Sequence, residues 1–420
     1  MDFVLTAKMQ MRKVMKYKNG LEIILKKDDS FSTVSINVFV KCGAVYENER
    51  QSGLSHFIEH LLFKGSAKYP GLSFSKTIEN SGGYLNAATS NEFTQYYANI
   101  PKESAETALT AFADIILNPL FPIEEIEKER KVVIEEMQRF LDNPRAKLSS
   151  LFYENIYKTS ALKNSVIGRR EIIENIERGE ICAFYKQNYC PEKMLIAVCG
   201  SFDEEKILKI IEGTFAKAEN LNTAAQPKLK ETVFEGVNLT LNADIENAYL
   251  ISGFLGIGAD GDDREILAAD LSAMLLGGLK SSPLRRILEE EKQLAFEIDC
   301  DYDLFRESGV LYITAEAASE NIEPIKDEIR KQIEKIASGK IEPQALERAK
   351  IALKTDFLFS IETPSGIADN LGLWHLLGKS YIADNYPLLI DLLTEKDVAD
   401  FFAKYYRSDR FSNAVMIPSK

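Results

Sequence analysis

Two of the three histidines in this 420-residue chain lie four residues apart, with a glutamate between them: His56, Glu59 and His60. In a helix, positions i, i+3 and i+4 project from one side, so both imidazoles can converge on a single ion. A hydrolytic zinc ion takes two or three nitrogen ligands and a further ligand, and keeps one position open for water. A carboxylate beside it can take the water's proton without being a ligand, which is the role Glu59 fits. A five-residue pattern alone does not separate such a helix from an ordinary one. A third ligand does.

The surrounding residues read as the helix this chemistry requires. Ser52 is the expected N-cap and Gly65 the left-handed stop, and Leu54, Phe57, Ile58, Leu61 and Leu62 form the buried stripe. After the break from Asn118 to Pro122, a second helical pattern runs from Ile123 to Leu141, with Val132, Val133, Met137 and Phe140 as its apolar positions. Glu129 and Glu136 are seven apart and share a face of it. Most acids on such a helix face solvent, so the spacing offers candidates without choosing between them.

The order His-x-x-Glu-His is the inverse of the commoner zincin motif. With Glu136 in the run Val132-Val133-Ile134-Glu135-Glu136-Met137, it resembles the pitrilysin/insulinase family of zinc peptidases, and most closely the branch of about 400 residues that includes the mitochondrial processing peptidase. The likeness is clearest from Asn19 to Phe215. It implies one zinc ion per chain held by His56, His60 and Glu136, Glu59 as general base, and Glu129 as a supporting acid that orients the site. It also implies that Gly83 to Ala87 forms an exposed edge strand that takes up substrate as an added strand, with Asn86 and Ala87 as substrate contacts.

Composition fits a folded protein with large cores: 45% hydrophobic and 27% charged residues are ordinary for a soluble chain of two or three domains. A net charge of −13 argues against nucleic acid as a partner. The five scattered cysteines read as reduced thiols rather than a disulfide frame. Residues 1–20 show no secretory signal and no run is apolar for a membrane span, so a cytoplasmic location is expected.

Strands are expected at Leu21–Leu25, Val34–Val40, Tyr84–Thr89, Phe93–Ala98 and Met194–Cys199. Helices are expected at Leu72–Asn80, Glu103–Leu117, Arg145–Ile156, Ile172–Gln187 and Glu204–Phe215. A polar, small-residue stretch suggests a linker at 218–231 between domains 1–217 and 232–420. The second half repeats the first: Glu129-Arg130 returns as Glu347-Arg348 and Phe184 as Phe402, each displaced by 218 residues. At that displacement Met274, Gly278 and Lys354 replace the three ligands, so only the first copy can hold metal. The last histidine, His375, lies in an apolar helical stretch beside the single tryptophan and reads as a packing residue.

The expected fold is therefore α+β: two homologous α/β-roll domains, each a mixed, antiparallel-rich sheet covered by helices. The expected activity is zinc-dependent hydrolysis of peptide bonds in peptides or unfolded segments, the alternative being a non-catalytic structural or partner subunit of the same fold. One departure bears on partners. The family's active members often carry an arginine and, seven residues later, a tyrosine in the second domain, where this chain has Glu289 and Phe296. The resemblance then implies a heterodimer with a paralogous subunit that carries the pair, or otherwise a homodimer.

Overall fold

A computed structural model describes residues 12–220 and 227–419. The predicted linker lies partly outside the described residues, as does most of the N-terminal stretch read for targeting signals. Two compact units form, each with its own sheet.

The first half of the chain gives β1 (Lys13–Lys16), β2 (Glu22–Lys27), β3 (Thr33–Val40), α1 (Leu54–Leu62), α2 (Ser73–Asn80), β4 (Tyr84–Thr89), β5 (Thr94–Pro101), α3 (Ala105–Leu117), α4 (Ile123–Asp142), α5 (Pro144–Ile156), α6 (Arg170–Asn175), α7 (Arg178–Asn188), β6 (Met194–Gly200) and α8 (Glu204–Gly213). The second half gives β7 (Asn238–Ala243), β8 (Ala248–Gly256), α9 (Asp263–Ala273), β9 (Ala295–Leu304), β10 (Gly309–Ala317), α10 (Ile322–Ala337), α11 (Pro343–Ser360), α12 (Pro364–Leu376), α13 (Ser380–Asp391), α14 (Glu395–Tyr405) and β11 (Ser412–Pro418).

The first sheet has the order β1-β2-β6-β3-β5-β4 and the second β7-β11-β8-β10-β9. Apart from β1 they share one topology, with one parallel pair (β2 with β6, β7 with β11) followed by antiparallel neighbours. β11 begins 218 residues after β6, the displacement read from the repeat. One face of the first sheet (Val34, Ile36, Val38, Val40, Ile196, Val198) enters a core with the apolar sides of α1, α3, α4 and α7. The opposite face, through β3 and β6, is covered by α12, which comes from the far half of the chain. The second sheet is covered in turn by α5, from the first half.

Several expectations need correction. Helix α1 starts at Leu54, with Gly53 rather than Ser52 at its N-cap, and ends at Leu62; Gly65 follows with φ 126. The single helix expected at Ile172–Gln187 is broken into α6 and α7, because Glu180 reaches back to accept the Glu177 amide at 3.0 Å and starts a new helix there. Strand β1 was not foreseen. On α4 the buried stripe is Ile126, Glu129, Val133 and Met137, while Val132 is exposed.

Candidate metal centre

Helix α1 is seated by a carboxylate that the sequence pattern does not reveal. Glu47, buried, accepts the amides of Gly53 and Ser55, each at 2.7 Å, and so satisfies two of the helix's free N–H groups. Burial pushes its carboxyl up to about 8, against the pull of those amides. The chain enters the helix at Gly53 (φ 91), which crosses Gly168 (φ 77) so closely that a Cβ on Gly168 would lie 2.2 Å from the Gly53 Cα. Only glycine fits either side of that crossing.

On this helix His56 Nε2 and His60 Nε2 lie 3.3 Å apart. Glu136 Oε2, from α4, lies 3.4 Å from His60 Nε2 and 3.8 Å from His56 Nε2. Zinc–nitrogen and zinc–oxygen bonds of about 2.0–2.1 Å in a tetrahedron place ligand atoms about 3.3–3.4 Å apart, so the three groups have the spacing that one such ion asks for. Burial, reinforced by the neighbouring His60, lowers His56 to about 4, which leaves its imidazole neutral and its lone pair free for a metal.

Glu59, the residue between the two histidines, turns to β4. Its carboxylate accepts the hydroxyl of Thr89. Burial raises its pKa, and Glu136 adds to that rise, while Thr89 and His60 oppose it. Glu129 lies within the buried stripe of α4, with Oε2 3.2 Å from His60 Nδ1 and Oε1 2.7 Å from Lys64 Nζ. A carboxylate on the far nitrogen of an imidazole fixes the tautomer that presents the other nitrogen's lone pair. Lys64 and Thr89 were missed by the sequence reading. The only signal for Lys64 was its place one turn beyond His60.

Among the described residues strand β4 pairs only with β5, so it is an edge of that sheet. The Ser90 amide bonds the Phe93 carbonyl across the turn, and the alternation of an antiparallel ladder then points the backbone groups of residues 85, 87 and 89 outward. The Ala87 amide is met by the side chain of its own neighbour, with Asn86 Oδ1 at 2.9 Å. In the second unit, Glu289 Oε1 accepts the Ile298 amide of β9 at 2.9 Å, and Phe296 is 65% exposed. His375 stands apart from the metal-binding group and lies 3.3 Å from Glu22 Oε2.

The profile of the insulinase family, peptidase family M16, matches residues 22–170, and that of the peptidase M16 inactive domain matches residues 175–353. A Rickettsia felis protein named an uncharacterised zinc protease is 30% identical over 359 residues, 86% of either chain. The chain belongs to the insulinase family. The beta subunit of the mitochondrial-processing peptidase of Caenorhabditis elegans is 25% identical over 408 residues, 95% of this chain and 88% of the relative. Among solved structures, a protease from Helicobacter pylori superposes with a TM-score of 0.91 at 24% identity, over 97% of this chain and 99% of the other, which is a likeness of fold. No helix among the described residues is long and apolar enough to cross a membrane.

Proposed function

We propose that this M16 protein is a zinc-dependent endopeptidase acting on extended peptides or unfolded segments. The reading is carried by the convergence of His56, His60 and Glu136, whose ligand atoms all lie within 4.8 Å of one another, beside a half-buried carboxylate, Glu59, that is free of the ligand set. The two imidazoles and Glu136 would hold one zinc ion, and Glu129 and Lys64 keep His60 turned toward it. Zinc, when bound, supplies the charge that acidifies a water and polarises the scissile carbonyl. Glu59 takes a proton from that water as it adds to the carbonyl carbon, then gives it to the departing amine as the C–N bond breaks. Its raised pKa suits both halves of that transfer. Substrate is taken up along β4, where Asn86 and Ala87 meet its backbone.

The test separates ligands from base. His56→Ala or His60→Ala should lose zinc and activity together. Glu59→Gln should retain zinc, measured by metal analysis, while peptide hydrolysis falls by roughly 10²-fold or more. Full activity in Glu59→Gln rules the mechanism out.

We further propose a partner. Glu289 is committed to a backbone amide of β9 and Phe296 has no hydroxyl, so neither can stabilise an oxyanion, a contribution typically worth about 3 kcal/mol. A paralogous subunit bearing an arginine and a tyrosine at those positions would complete the enzyme as a heterodimer, and a homodimer is the competing form. Hydrolysis by the purified chain should be slow alone and rise at least tenfold on addition of the paralogue. Unchanged rates sink the heterodimer.

A further inference from the structure

The two sheets differ at one edge. In the first, β1 fills the outer side of β2. β7 holds the place of β2 in the second sheet, pairing in parallel with β11 as β2 does with β6, and among the described residues no strand lies beyond it. An open edge invites pairing with another chain, and folded proteins commonly guard such edges with charge. Here β1 carries Lys13 and Lys16, and β9, at the other edge of the second sheet, carries Glu297, Asp299, Asp301 and Asp303. At β4, the edge proposed for substrate, the Ala87 amide is met by the Asn86 side chain. β7 has no such guard: Asn238-Leu239-Thr240-Leu241-Asn242-Ala243 includes no charge and no proline.

The backbone of β7 is presented in a definite register. The carbonyls of Val237 and Ala243 accept the amides of Asn413 in β11 and of Ser419 just past it, so the odd-numbered residues turn their backbone groups toward β11. The period of two then sends the N–H and C=O groups of Asn238, Thr240 and Asn242 to the open side. From Asn238 to Asn242 the sequence reads the same in both directions. Two copies laid antiparallel about a two-fold axis at Thr240 therefore set Thr240 against Thr240, Leu239 against Leu241 and Asn238 against Asn242. The pairs that exchange backbone hydrogen bonds are then the outward ones. The exposed Thr240 side chains meet as a threonine pair, and the half-buried Leu239 and Leu241 gain cover. A slip of one residue would set each leucine against a polar side chain and each outward residue against an inward one.

We propose that β7 is a self-pairing edge, through which two copies of this chain join their second sheets into one continuous sheet. A strand of another protein would need no palindrome; the match of β7 with its own reverse selects a second copy. The contact lies at the edge opposite β9, the strand that holds Phe296 and whose Ile298 amide is bonded to Glu289. It depends neither on the peptidase reading nor on the paralogous partner. Pairing of six-residue strands alone buries less than the roughly 1,200 Å² of a standard interface, so the dimer is reversible, with a Kd of about 1–100 μM.

Sedimentation equilibrium of the full chain tests this at about 0.15 M salt, where repulsion between two copies of net charge −13 is screened beyond about 8 Å. The mass should rise from one chain to two with concentration. Thr240→Lys sets two ammonium groups face to face and should raise Kd at least tenfold, as should Thr240→Glu, whereas the two variants mixed in equal amounts should pair again. Thr240 is exposed, so both variants should keep the urea midpoint of wild type. On mild oxidation Thr240→Cys should form an interchain disulfide, since opposed Cα atoms in a hydrogen-bonded pair lie about 5.5 Å apart. Asn238→Cys should not crosslink to itself, its counterpart lying about 13 Å along the strand, but should crosslink to Asn242→Cys. Wild type that stays monomeric up to about 0.5 mM overturns the proposal. So does a dimer that Thr240→Lys leaves unchanged, and so does Asn238→Cys crosslinking to itself as readily as Thr240→Cys.

Discussion

Buried carboxylates in this chain are distinguished by what donates to them. Glu59, half-buried, receives the Thr89 hydroxyl, and burial still raises its pKa. Glu231, buried, receives far more: the amides of Lys158, Thr159, Ser160, Thr232 and Val233, with the Thr159 hydroxyl. Here burial alone would raise the carboxyl, but the hydroxyl and the converging amides outweigh it and hold it at about 2. A group held below its unfolded value stabilises the fold fully above that value, and the stabilisation is lost as pH falls through the folded one. For Glu231 the loss runs from about 4.5 down to about 2. Glu231→Gln should cost about 2–3 kcal/mol at pH 7 in urea titrations, as expected when a charged acceptor is lost from amides that stay buried. The gap between wild type and variant should narrow at pH 3. A gap that stays constant from pH 7 to pH 3 would show that the carboxylate's charge does not matter.

At the scale of elements, legibility followed the range of the interactions. Helix α1 could be read because its apolar stripe and its candidate ligands both obey one helical period. Strands β2 to β6 could be read from β-branched runs, β4 to the residue and the others with ends within three residues. Contacts made across the sequence could not. Thr89 is 30 residues from Glu59 and its hydroxyl is one of many, so nothing local marks it. Glu47 caps α1 from outside the helix, where capping patterns look only at the residue before it. Glu129 and Glu136 share a face by spacing, and spacing alone does not choose between them as the candidate metal ligand; the family resemblance implies Glu136. Buried together with Ile126, Val133 and Met137, Glu129 shows why period counting fails there: His60 and Lys64 make a charged residue acceptable inside the apolar stripe. The crossing of Gly53 and Gly168 is of the same kind, since two glycines 115 positions apart fit each other only in the folded chain.

At the scale of the whole molecule, the duplicated halves are not self-sufficient. The face of the first sheet away from its core carries Ser35, Asn37, Phe39, Leu195, Ala197 and Cys199, all fully buried. What buries them is α12, from the second half. Asp369 on that helix accepts from Asn37 at 2.7 Å and also from Gln95, and a Cβ on Gly372 would come within 2.3 Å of the Phe39 ring. In the second sheet, α5 from the first half takes the matching place, its Phe152 ring 3.1 Å from where a Gly253 Cβ would stand. A chain ending at residue 217 would therefore expose Phe39 and Leu195 and leave Asn37 and Gln95 without their acceptor, costs of several kcal/mol against a stability usually of about 5–15 kcal/mol. The isolated first half should show no cooperative urea transition. The two halves expressed together should copurify, and a full chain cut once between residues 220 and 227 should elute as one species in gel filtration and separate only in denaturant. A first half that unfolds cooperatively alone, at a midpoint near that of the whole chain, would mean that α12 is dispensable to the sheet it covers.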